Sequence, residues 1–92
     1  MASSATTTVT VLYFAAAHTE TGMTSEAIDV GPGGLKLSAL GQLLIGRHPD
    51  TKLQQVLAFS QWSVNLDMVE DPDTIVLRGG EEVAVICPVS GG

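Results

Sequence analysis

Two short apolar runs, Val11 to Phe14 and Val83 to Ile86, stand near opposite ends of the chain with no charge or glycine inside either. β-Branched and aromatic side chains fit a pleated, buried surface. An unbroken apolar run of this length suits a strand covered on both edges and on at least one face. Both runs are therefore expected at the centre of a sheet, which makes the first and last strands the middle of the fold.

The residues between them supply the rest of an α+β domain. Thr8 to Phe14 reads as the first strand, Ala15 to Met23 as a short helical turn or loop, and Ser25 to Val30 as a second strand. On that strand Glu26, Ile28 and Val30 share one face and Ala27 and Asp29 the other. Gly31-Pro32-Gly33-Gly34 is turn chemistry, after which Leu37, Leu40, Leu43 and Leu44 fall at the spacing of one helical stripe. This is the main helix; Gly41 and Gly46 within it each cost about 1 kcal/mol against alanine, so packing must hold it. Pro49 helps to end it. Val56 to Phe59 and Trp62 to Met68 read as short strands, Glu70 to Asp73 as a loop, Thr74 to Leu77 as another short strand, and Gly79-Gly80 as the turn into Val83 to Ile86.

Ninety-two residues make one small domain with little room for an enzyme cleft. The expected organisation is a frayed start over 1–7, a domain over 8–87 and a flexible tail over 88–92. The longest unbroken apolar run, Val11 to Ala17, falls well short of the roughly 20 residues that span a bilayer. The first basic residue is Lys36, so a secretory or organellar leader is not expected and a cytosolic location is. One cysteine, Cys87, excludes an intrachain disulfide and a cysteine-rich zinc site. A net charge of −6 would repel nucleic acid. From Ser63 onward there are six acids against one base, which offers either a solvated surface or a docking face for a basic protein.

The most specific feature is the ending Pro88-Val89-Ser90-Gly91-Gly92. Pro88 lacks the N–H that would continue a sheet ladder and fixes φ, so the tail is expected to project. Two closing glycines present a carboxylate on a stem thin enough to thread a passage closed to any other residue.

At these residues the chain resembles the small, sulfur-carrying subunits of molybdopterin synthase, a family with the ubiquitin-like β-grasp fold. The likeness rests on Val11-Leu12-Tyr13-Phe14-Ala15, on Leu40 to Pro49 ending in Arg47-His48-Pro49, on Leu77 to Ile86, and above all on Pro88 to Gly92. Cys87 stands where the family commonly has proline and Glu81 where it has aspartate, and Ala58 to Asp73 matches poorly. The resemblance implies a mixed sheet packed on one main helix, with a projecting Gly-Gly tail. It implies no stably bound cofactor and no catalysis by the chain alone. An ATP-dependent, E1-like activating enzyme would convert the Gly92 carboxylate to an acyl-adenylate carrying AMP transiently. A sulfur nucleophile would then displace AMP to leave a thiocarboxylate. The synthase large subunit, two copies of each subunit forming the assembly, would take Gly91 and Gly92 into its active site and pass the sulfur to a cyclic pyranopterin phosphate. Pro88, Val89 and Ser90 would line the partner's entry. Glu81, Glu82 and Asp67 are expected to face basic partner surfaces, with Val85, Ile86 and Val89 supplying apolar contact. The alternatives are a carrier for thiamine or tRNA thiolation and, from another class, a ubiquitin-like modifier or interaction module.

Other signals are weaker. Leu77-Arg78-Gly79-Gly80 has the spelling of a modifier's end, but cutting there would discard Val83 to Ile86, and a hairpin turn accounts for it. Gly31 to Gly34 lacks the Gly-Lys-Ser/Thr ending of a phosphate loop. His18 and His48 have no partners at metal-ligand spacing. His48 beside Arg47 suits the carboxy-terminal end of a helix dipole. Cys87, after a buried strand, reads as a small hydrophobe, and Glu70, Asp71 and Asp73 as a solvated turn around Pro72.

Overall fold

A computed structural model describes residues 7–87. Seven strands and three helices occur there: β1 (Thr8–Tyr13), α1 (Ala16–Thr21), β2 (Ser25–Asp29), β3 (Leu35–Lys36), α2 (Leu37–Arg47), α3 (Leu53–Phe59), β4 (Gln61–Val64), β5 (Asp67–Val69), β6 (Val76–Leu77) and β7 (Glu82–Ile86), with a 3₁₀ turn over Pro72–Thr74. The main sheet has the order β2-β1-β7-β4-β5, and β3 pairs with β6 in a separate ribbon.

The two apolar runs lie inside the sheet as their composition requires. β7 is the middle strand, parallel to β1 with Val11 opposite Val83, and antiparallel to β4 with Val64 opposite that same valine. On β1 the inner residues Val9, Val11 and Tyr13 are buried while Thr8 and Thr10 are exposed. The face on β2 is as expected: Ile28 and Val30 are buried, Glu26 half-buried, and Ala27 and Asp29 exposed. Thr7 is already tied in, its hydroxyl donating to Asp29 Oδ1 at 2.7 Å and its carbonyl accepting from Val30 N–H at 2.7 Å.

Helix α2 crosses the inner face and buries Leu37, Leu40 and Leu44 against Val83, Val85 and Trp62 in one core. Lys36 offers no capping oxygen; instead the Ile75 carbonyl accepts from Leu37 N–H at 2.9 Å, so the chain before β6 closes the helix start. Gly41 is buried where an added Cβ would stand 3.5 Å from the Trp62 ring. Gly34 turns into β3 with φ +82°, and a Cβ there would come within 2.9 Å of the Leu77 carbonyl oxygen.

Three expectations need correction. Val56 to Phe59 is not a strand but the second half of helix α3. Leu53 is fully buried and Val56 and Leu57 are partly buried against the core, the i, i+3, i+4 stripe of a helix. Val56 to Phe59 taken alone is too short to show a period; the helix becomes legible only from Leu53, where leucine, glutamine and alanine favour it. Trp62 to Met68 is not one strand but a hairpin, with Asn65 and Leu66 at φ 52° and 75° as its two-residue turn. Asn65 Oδ1 accepts from Glu82 N–H at 3.0 Å and Asn65 N–H donates to Glu82 O at 2.8 Å, pinning that turn to the start of β7. Of Thr74 to Leu77 only Val76–Leu77 pairs as strand, because Thr74 closes the 3₁₀ turn whose first carboxylate, Asp71, accepts from Asp73 N–H at 3.0 Å.

The glycines of α2 and of the turn before it predict opposite responses. Gly46 is exposed, helical and has open space around the Cβ position, so Gly46→Ala should stabilise the fold by up to about 1 kcal/mol. Gly34→Ala should lower the thermal midpoint, since both φ and the Leu77 carbonyl oppose it. Thermal unfolding of the two variants beside the parent checks both signs.

Candidate functional site

The site begins where β7 ends. Val83, Ala84 and Val85 are buried and Ile86 is half-buried, so the strand is held rigidly up to Cys87. Cys87 Sγ lies 3.4 Å from the Phe14 carbonyl oxygen, to which its S–H donates, and 3.5 Å from Ser60 Oγ, whose O–H donates to the sulfur. The chain thus leaves the domain between the end of β1 and the end of α3. Ala15, next to Phe14, holds φ 52° and ψ −123°, a strained backbone for a residue with a Cβ. Pro88, Val89, Ser90, Gly91 and Gly92, expected to carry the chemistry, lie outside the described residues.

The expected docking residues divide. Val85 is fully buried in the core and cannot be a surface contact, because strand alternation turns it inward with Val83. Glu81 is not a free charge. Its carboxylate accepts from Arg78 N–H at 2.9 Å and Gly79 N–H at 2.7 Å, closing the Gly79-Gly80 turn. Partial burial raises its pKa, but those backbone donors outweigh it and hold the group below the usual glutamate value. Glu82 and Asp67 are exposed, and Ile86 remains partly accessible. Leu77-Arg78-Gly79-Gly80 is a turn between β6 and β7, with Leu77 fully buried, so cleavage there would remove the central strand.

Sequence reading missed a polar cluster that joins three elements. Glu26 on β2 lies under the end of α2, its side chain 8% exposed. Its Oε1 accepts from the Tyr13 hydroxyl at 2.7 Å and lies 2.9 Å from His48 Nε2, while Oε2 accepts from Arg47 Nε–H at 2.7 Å. The Tyr13 and His48 rings meet edge to face, 6.1 Å between centroids. Burial alone would raise the Glu26 pKa, yet the hydrogen bonds from His48, Tyr13 and Arg47 together bring it below its ordinary 4.5. Burial, and then the bond to Glu26, push the Tyr13 phenol well above 10. The available signal was a glutamate on the inward face of β2, beside Ile28 and Val30. His48 does stand at the helix end, but its role is a contact to Glu26 more than a dipole partner. The cluster fastens α2 to the β1–β2 hairpin. His18 lies apart from it, Nδ1 2.9 Å from the Met23 carbonyl oxygen.

Among the described residues no helix is long and apolar enough to cross a membrane, and no three His, Cys, Asp or Glu side chains gather as a metal site.

Against known proteins, residues 11–92 match the ThiS family. The molybdopterin synthase sulfur carrier subunit of Mycosarcoma maydis is 39% identical over 92 residues, covering 98% of this chain and 99% of that protein. The protein of the same name from Homo sapiens is 40% identical over 87 residues, covering 91% and 93%. The solved structure of molybdopterin converting factor subunit 1 from Pyrococcus furiosus superposes with TM-score 0.75 at 26% identity, covering 91% of this chain and all of that one.

Glu26 generates a pH prediction. A carboxylate whose pKa is depressed on folding adds stability that is complete above its unfolded value and is lost as pH falls through the folded one. Glu26→Gln should cost about 1–3 kcal/mol at pH 7. The parent's thermal midpoint should also fall more steeply than the variant's below about pH 4.5, the ordinary glutamate value. Parallel midpoint-versus-pH curves would refute the assigned role.

Proposed function

The chain belongs to the ThiS family, and from that premise we propose that it is the sulfur carrier subunit of a molybdopterin synthase, serving molybdenum cofactor biosynthesis through Gly92. Two relatives of that name, from a fungus and from human, match it nearly end to end. The observation that carries the chemical reading is the course of β7. The central strand of the main sheet ends at Ile86, Cys87 is held by Phe14 and Ser60, and the next residue is Pro88, which cannot extend the ladder.

The chemistry follows from the carboxylate's poor acyl reactivity. The activating enzyme joins the Gly92 carboxylate oxygen to the α-phosphorus of ATP and releases pyrophosphate. Hydrosulfide, delivered by the sulfur donor, then attacks the acyl carbon, AMP departs with the electron pair of the broken C–O bond, and Gly92 ends as a thiocarboxylate after losing the S–H proton. The large subunit receives the tail and its pocket holds the pterin substrate; the small chain supplies sulfur, reach and a stem without side chains. Two copies of each subunit form the working assembly. The setting is the cytosol, where the single free thiol of Cys87 stays reduced. Glu82 and Asp67, exposed at the end of the sheet opposite Cys87, add a negative field that draws basic partner surfaces.

Incubation with ATP, a sulfur donor and the activating enzyme should raise the mass of the carboxy-terminal peptide by the difference between sulfur and oxygen. Deleting Gly92 should leave thermal unfolding unchanged and abolish molybdopterin formation. The loss of reach is roughly 3.3–3.6 Å, whereas a misplacement of about 1 Å already costs about a hundredfold. Product at the parental rate from the deleted chain, or adducts on the lysines of other proteins in place of a thiocarboxylate, would overturn the reading.

The negative field makes a separate kinetic prediction. Raising ionic strength from low salt should slow association with the large subunit, since exposed charges are screened beyond about 8–10 Å near physiological salt. The Glu82→Gln, Asp67→Asn double variant should show a shallower salt dependence in stopped-flow binding.

A further inference from the structure

The domain carries an apolar groove beside Cys87 that the described residues leave uncovered. Lys52, Gln55, Val56 and Phe59 fall at i, i+3, i+4 and i+7 along one stripe of α3. Across from them on α1 stand Ala16 and Glu20, one turn apart. The space between is about 410 Å³, and its floor at one end is Cys87. Phe59, the last residue of α3, is 71% exposed, so a large apolar ring stands in water at the groove's rim. At the far end Glu20 Oε1 accepts from the Lys52 backbone N–H at 2.8 Å, which fixes α1 against the start of α3. The groove is thus preformed: apolar beside Cys87 and polar at its far end, the anatomy of an interface core with a rim.

Tail length says where a partner must sit. Five residues follow Cys87, and fully extended they span at most about 17 Å. A protein that draws Gly92 into its interior therefore has to press on the surface around Cys87, and this groove opens there. We infer that the α1–α3 groove, with Phe59 as its anchor, is a docking surface for the synthase large subunit, which inserts apolar side chains between Ala16 and Val56 while it holds the tail. The inference rests on the sulfur-carrier reading. The large subunit is the occupant, in preference to the activating enzyme, because a stable subunit interface is more apolar than a passing encounter, and the groove walls near the tail are apolar.

The test measures affinity and loading separately. Phe59→Ser should keep the parental thermal midpoint, because the ring is exposed. It should still accept sulfur at Gly92 as read by mass, and should bind the large subunit about 10- to 100-fold more weakly, as loss of an interface anchor does. With Phe59 kept, a Cys87→Ala, Gln55→Cys chain whose affinity for the large subunit is first matched to the parent should be alkylated by iodoacetamide more slowly once the large subunit is added. Parental affinity in Phe59→Ser, or an unchanged alkylation rate in the complex, would overturn the inference. So would slower sulfur loading of Phe59→Ser with unchanged large-subunit affinity, which assigns the groove to the activating enzyme. If deleting residues 88–92 by itself speeds alkylation of the free chain, the groove's occupant is the chain's own tail, and the inference fails. Absence of sulfur on Gly92 in the parent would refute the carrier reading alone; the groove stands or falls on the binding and alkylation data.

Discussion

The pairing of β7 with β1 and β4 is the constraint on which the rest depends. β7 supplies the middle of the sheet from the last stretch of the described chain, and its neighbours come from the first strand and from the second half. Until β7 arrives, Val9 and Val11 on one side and Trp62 and Val64 on the other have no sheet between them, and Leu40 and Leu44 of α2 have little to cover. Such long-range pairing is entropically costly and makes for slow folding. It has one return: the strand that carries the tail is locked on both edges by ladders and on its inner face by a helix. Thermal motion of the tail's starting point is limited by the whole core, not by a local turn.

The small polar devices around this strand keep that arrangement closed. Asn65 exchanges two hydrogen bonds with Glu82 at one end. Glu81 satisfies the amides of its own turn. At the other end Cys87 bridges the Phe14 carbonyl and the Ser60 hydroxyl. The Glu26 carboxylate works on a larger scale. Taking a charge out of water is costly unless it is paired and hydrogen-bonded, and three donors from β1 and the end of α2 meet that condition. Its position ties the helix to β2, an edge strand that the β7 ladders do not reach directly.

Function follows the same division. The described domain offers open surface grooves, and among its residues no three His, Cys, Asp or Glu side chains gather as a metal site. Under the sulfur-carrier reading proposed above, the domain's contribution is to hold the stem and to be recognised. The surface nearest the stem is apolar along α1 and α3. Exposed Asp67 and Glu82 stand away from it, at the starts of β5 and β7.

The amino-acid sequence alone determined what short-range chemistry determines. The apolar runs of β1 and β7, the leucine stripe of α2, the alternation on β2 and the glycine turns all read correctly, because period and turn residues carry local structure. The terminal motif Pro88 to Gly92 was legible as a motif, and the family match extends over it. Tertiary structure decided the rest. Val56 to Phe59 reads as a strand because four residues show no period; the helix that contains them starts at Leu53, and burial of Leu53 and Leu57 against the core fixes its inner face. Val85 looked like a contact residue until the ladder with Tyr13 turned it inward. Glu81 looked like a free charge until the turn amides took it. Glu26 meets His48 across 22 positions and Tyr13 across 13. No local pattern spans such distances; the contacts exist because the sheet and helix bring distant residues together, and the hydrogen bonds offset the desolvation of a carboxylate once it is buried there.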